Sequence, residues 1–278
     1  MADELNINDG SRIISKGTKR ISTVSKEITP AFIDGILNGL KQMDTKSGQV
    51  LSDNQRNRNL INSVRGNVRK VLDKVGYFDA VNNFLFNFDL LSDFQKGIHQ
   101  QLSGITVKGS QITPFRKWAI NKVLFDLQGQ GLDAALINPI KQEMKKAVDL
   151  GGNFQDMSRS IDTFLRQGKN GHLDRIVQLG SQDALGQFNG LVNDAVRREF
   201  NLDGFVYVGS VVEGTRPQCL RWLAMREIPW AGFGKELEWA NRNGTGWIKG
   251  TTKDLFLQNR GGYRCRHDAI PKRLSKNV

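Results

Sequence analysis

Cysteine is scarce in this chain: Cys219 and Cys265 are the only two in 278 residues. A protein of this length with a single possible pair is not organised by disulfides, and its thiols read as those of a reducing cytoplasm. Long hydrophobic runs are missing too. No stretch approaches the roughly 18–20 apolar residues that cross a bilayer, so no membrane partner is expected. The opening MADELNINDGSR is acidic and polar and lacks the apolar centre of a secretory signal. Without secretion, the sequon Asn243-Gly244-Thr245 reads as a turn. The sequence holds no Walker loop, dinucleotide fingerprint or H-E-x-x-H, and no stretch of about 20–50 residues repeats itself. These absences remove the common nucleotide-binding, metalloprotease and solenoid classes.

What is present suits a soluble globular protein. Hydrophobic residues make up 38% and charged residues 24%, enough for a packed core and too balanced for wholesale disorder. The length allows one large domain or two ordinary ones. The net charge of +12 favours polyanionic neighbours such as nucleic acid or acidic protein surfaces, although a basic surface also serves solubility alone. The surplus per residue is greatest after residue 201.

Along the chain, residues 1–28 are polar with little periodicity and read as an extended arm. Residues 29–200 read as a helical region. Thr29-Pro30 predicts a helix start. Ser52-Asp53-Asn54 predicts a second, with Leu60, Ile61, Val64, Val68, Val71, Leu72 and Val75 on one stripe and a stop at Gly76. Arg56, Arg58, Arg65, Arg69, Lys70 and Lys74 lie outside that stripe and are candidate contacts to DNA phosphate; a solvated face is the competing reading. Residues 78–102 are crowded with Phe and Leu, as in a buried helix or an assembly surface. Thr113-Pro114 predicts another start, and helices are expected at 132–149, 153–167, 171–179 and 181–199. After Asn201 glycine, proline and tryptophan become dense. FVYVGSVV (205–212) alternates as a strand does, and residues 222–230 and 247–250 suggest further short elements. The fold class is therefore α+β: a helical region followed by a small α+β module over 201–278.

Both cysteines lie in that module, Cys219 in YVGSVVEGTRPQC (207–219) and Cys265 in NRGGYRCRHDAIP (259–271). Cys219, Cys265 and His267 are residue types that bind zinc, with Asp268 as a conceivable fourth ligand. A lone Cys facing a C-x-H pair nevertheless lacks the usual C-x₂₋₄-C knuckle. No metal or other cofactor is expected on that spacing, and two buried thiols beside a hydrogen-bonded histidine is the favoured reading. A Cys–His nucleophile has no assignable orienting group, so no catalytic residue is named. Arg216, Arg264 and Arg266, with Glu213 and Asp268 near in sequence, are expected to form bidentate pairs that lock the two segments together. On that reading Arg216→Ala would destabilise the module by roughly 3–5 kcal/mol, provided the partner acid is buried.

The order YVGS (207–210), TRPQC (215–219), a tryptophan-rich middle and GGYRCRH (261–267) resembles the C-terminal domain of the phage Mu F-like minor head proteins, also described as phage head morphogenesis proteins. The resemblance covers roughly 180–270, about a third of the chain. Glu213, Thr215, Arg216, Cys219, Gly262, Cys265, Arg266 and His267 occupy the places of the family's motif residues. Glu213 stands where the family often has Asp, and the helix expected at 184–200 sits where the family places one. The resemblance implies a non-enzymatic virion protein of a tailed phage, assembled in the host cytoplasm. It implies a minor component, present in several copies, that touches portal or major capsid subunits and packaged double-stranded DNA. The alternative is a zinc-dependent nuclease or transferase built on Cys219, Cys265 and His267.

Overall fold

The computed structural model describes residues 6–262 and 265–274; Arg264 lies outside the described residues. The elements run α1 (Asp9–Leu40), β1 (Thr45–Lys46), β2 (Gln49–Val50), α2 (Gln55–Lys74), α3 (Tyr77–Leu85), α4 (Asn87–Ser103) and α5 (Gly109–Gln128). They continue with α6 (Gln130–Leu132), a π turn (Asp133–Ile137), α7 (Asn138–Leu150), α8 (Phe154–Leu165) and α9 (His172–Glu199). The last part holds β3 (Gly204–Val208), α10 (Pro217–Met225), β4 (Glu227–Pro229), α11 (Phe233–Asn243), α12 (Phe256–Asn259) and β5 (Asp268–Lys272). The fold is a mostly helical N-terminal region with a small α+β C-terminal module, as the sequence predicts. Among the described residues no helix is long and apolar enough to cross a membrane.

Several boundaries differ from the expectation. The extended arm is replaced by α1 from Asp9 onward, which runs through Thr29-Pro30. Thr29 does not cap; its hydroxyl donates back to the Ser25 carbonyl at 2.6 Å. Thr113 does the same toward Gly109 at 2.8 Å, and Pro114 lies inside α5. The two helices expected at 171–179 and 181–199 are one, because Gly180 is a contact point rather than a break: a Cβ there would sit 2.9 Å from Leu127 Cδ2. The α2 start and stop match, with Asn54 capping the Asn57 amide and Gly76 left-handed at φ 76°.

The described residues fall into two compact units. One holds Lys19–Phe84 and Val123–Ser181. In it α2 buries Ile61, Val64, Val68 and Leu72, and packs on α7. Asn57, fully buried, ties the preceding hairpin down through the Asp44 and Leu51 carbonyls and the Asp44 amide. The Asp174 carboxylate, also buried, accepts from the hydroxyls of Ser22 and Ser25 at 2.8 and 2.7 Å.

The other unit takes in the chain up to Thr18, Leu85–Lys122 and everything from Gln182. The strand module is thus not closed at 201: it shares its unit with α4 and most of α9. Its sheet has the order β4-β3-β5, antiparallel throughout, with Phe205 opposite Ile228 and Pro271, and Tyr207 opposite Ala269. Alternation along β3 sends Phe205 and Tyr207 into a core with Trp222, Phe233 and Phe256, and Val206 onto Phe94, Ile98 and Ile270. The strand expected to reach 212 ends at Val208. At Gly209, φ is 144° and an added Cβ would lie 2.5 Å from His267 Cδ2, so His267 occupies the space that another strand residue would need.

Candidate functional site

The two motif segments close on each other. Arg216 precedes α10, whose first turn carries Gln218 and Cys219 toward the module core; Arg260, Gly261 and Gly262 follow α12, and Cys265 and His267 stand in the irregular stretch before β5. Cys219, Cys265 and His267 are all buried, and their ligand-type atoms lie within 4.8 Å of one another. The Tyr207 hydroxyl donates to Cys219 Sγ at 3.5 Å and sits 3.4 Å from Cys265 Sγ. Gly261 is backed against this group: a Cβ there would meet Cys219 Sγ at 2.3 Å and Cys265 Sγ at 2.9 Å.

Both cysteines are free thiols. The hydrogen bond between them splits their acidities. Cys265 is held well below the usual thiol range, first by the bond from Cys219 and then by His267 and the Arg260 guanidinium, against the opposing effect of burial. Cys219 is pushed up by the same bond and by burial. Burial, followed by the neighbouring sulfur charge, raises the Tyr207 hydroxyl.

The expected bidentate arginine–acid lock is corrected. Arg216 donates to the Gly261 carbonyl at 2.9 Å, so it does bridge the two segments, but through backbone. Among the described residues neither Glu213 nor Arg266 forms an ion pair, and both are exposed, as solvated charges at a rim tend to be. The buried Asp268 carboxylate makes no ion pair among the described residues and accepts from Asn189, Asn193 and the Ala269 amide. The bidentate clamp in the module is elsewhere: Arg221 of α10 meets Glu236 of α11 at 2.6 and 2.8 Å and stacks over Trp239. Thr215 closes its own turn with Val212, and Gly262 is left-handed at φ 106°, beside the Gly246 carbonyl.

Two groups of residues essential to this arrangement carried no sequence motif. Gln218, fully buried, donates to the Gly261 and Thr245 carbonyls at 2.9 Å and accepts from the Thr245 amide at 3.2 Å, joining three segments. Behind β5 runs a buried polar seam. Gln95 donates to Asn189, Asn189 to Asp268, Asn193 to the Ala269 carbonyl at 3.0 Å, and His99 Nε2 to Asn193 at 3.1 Å. The i, i+4 spacing of Gln95 with His99 and of Asn189 with Asn193 places each pair on one helix face. That spacing was the only available signal.

The basic helix is less free than its sequence suggests. Arg56 pairs with Asp44, Arg58 with Asp53, and Arg65 and Arg69 with Asp133, while Arg69 also donates to the Gln128 carbonyl. Lys70 and Lys74 are exposed and make no ion pair among the described residues. In comparisons with known proteins, the chain matches no family model, no curated protein and no solved structure.

Proposed function

We propose that the chain is a minor head protein of a tailed bacteriophage, bound to portal or capsid subunits at the capsid interior and acting in head morphogenesis. The observation that carries the reading is the convergence of its two motif segments. Four of the residues that resemble the Mu F-like pattern, Arg216, Cys219, Cys265 and His267, lie far apart in sequence yet come together in one knot whose thiols and histidine are buried. A motif whose members are brought together in this way is a unit of structure rather than a chance recurrence of residue types. A role in assembly is further supported by apolar side chains left at the surface, Phe86 and Leu90 at the start of α4 and Trp118 on α5.

In this role the net charge of +12 faces packaged double-stranded DNA, through phosphate and without sequence preference. Lys70 and Lys74 are the contacts of α2 best placed for it, since the arginines of that helix are already paired. Co-expression with the portal and major capsid proteins of the same genome tests the reading: the chain should co-elute with one of them on size exclusion. Elution apart from both, at every salt concentration that keeps them folded, overturns it.

A further inference from the structure

We propose that Cys219 Sγ, Cys265 Sγ and His267 Nδ1 bind one zinc ion, whose fourth position is taken by water from the adjoining pocket. Sequence spacing argued against this, because no knuckle is present. The fold supplies what the spacing does not, by bringing the ligands from α10 and from the stretch before β5 to a common point.

Four observations carry the proposal. A zinc ion with sulfur at about 2.3 Å and nitrogen at about 2.05 Å in tetrahedral geometry sets an S···N edge of about 3.6 Å; Cys265 Sγ and His267 Nδ1 stand 3.7 Å apart. That separation suits two ligands of one metal as well as it suits a weak sulfur hydrogen bond. The His267 ring is held by stacking on Tyr207, with Nδ1 toward Cys265. The missing side chain of Gly261 leaves room at the two sulfurs, since a Cβ there would press on both. Finally, the cluster borders a pocket of about 210 Å³ lined by Glu213, Thr215, Arg216 and Arg266 along with the three ligands. This gives the ion an entry path and its water a place.

The charges also suit burial. Two thiolates and Zn²⁺ sum to zero, so the occupied site adds no net charge to the module core, and binding releases the thiol protons to solvent. The ion would staple α10 to β5 in a module too small to rely on its core alone. The inference does not depend on a role in phage heads.

The test is cobalt substitution of the full-length reduced protein, with elemental analysis of the protein as purified. About one zinc per chain is expected. Stoichiometric Co²⁺ should produce the visible bands of a tetrahedral site and a sulfur-to-cobalt charge-transfer band in the near ultraviolet, all lost on addition of zinc. Cys219→Ser and Cys265→Ser should each weaken that charge-transfer band, and His267→Ala should lower the affinity for cobalt by at least about tenfold. Folded wild-type protein that takes up neither metal overturns the proposal, as does cobalt bound without a thiolate band. The wild-type spectrum decides the matter even where a variant fails to fold.

Discussion

A buried polar group that loses its partner costs about 1–3 kcal/mol, and in this module one side chain satisfies three backbone groups at once. Gln218→Leu leaves the backbone amide and carbonyl of Thr245 without this partner and the Gly261 carbonyl with its bond from Arg216 alone. Chemical denaturation should show a loss of about 3 kcal/mol or more. Arg216→Ala should cost less than the 3–5 kcal/mol expected for a broken buried ion pair. Its bond to the neutral Gly261 carbonyl corresponds to about 1.5–3 kcal/mol. A larger loss for Arg216→Ala than for Gln218→Leu would reverse this ranking. His99 sets a pH dependence. Burial, outweighing the hydrogen bond to Asn193, lowers its pKa from 6.5 to about 4. Below about pH 6.5 the unfolded chain takes up a proton that the folded chain refuses until about pH 4. Stability should therefore fall with pH across that window, by up to about 3 kcal/mol. His99→Gln should flatten the slope, and an unchanged slope would show that another group is responsible.

Helix α9 shows how a whole element is shaped by close approach. Gly186 and Gly190 lie one turn apart on the face that meets the end of α12. A Cβ at Gly190 would come within 2.1 Å of the Leu257 carbonyl, and one at Gly186 would collide with the Arg260 guanidinium. Gly190→Ala meets rigid backbone and should destabilise by about 3 kcal/mol. Gly186→Ala meets the end of a flexible side chain and should cost less, a difference readable in melting curves of the two variants. Such contacts also explain how much of the fold was legible. Apolar periodicity and the Asn54 cap placed α2 correctly, because local spacing and capping are written in neighbouring residues. Thr-Pro steps at 29 and 113 misled, because a threonine hydroxyl can bond either forward to an amide or back to a carbonyl, and sequence does not say which. Gly180 looked like a break because its partner, Leu127, is distant in sequence. The site was legible in part for the same reason. Cys219, Cys265 and His267 were visible as residue types, but Gln218 and the Asn189–Asn193 pair gain their roles only from segments that the fold brings to them.

For the whole molecule the charge and the assembly reading make separate claims. If the basic surface meets DNA, retardation of duplex DNA at about 50 mM salt should be largely gone by about 200 mM, without preference among sequences. Lys70→Ala with Lys74→Ala should shift the release point to lower salt. Salt-independent retardation would point to a different mode of contact. The central claim is that this is a head protein, and the most direct measurement is peptide mass spectrometry of purified particles separated into heads and tails. Peptides of this chain should appear in the head fraction, at fewer copies than the major capsid protein, and be missing from free tails. Intact, DNA-filled heads that contain none of its peptides would contradict the account.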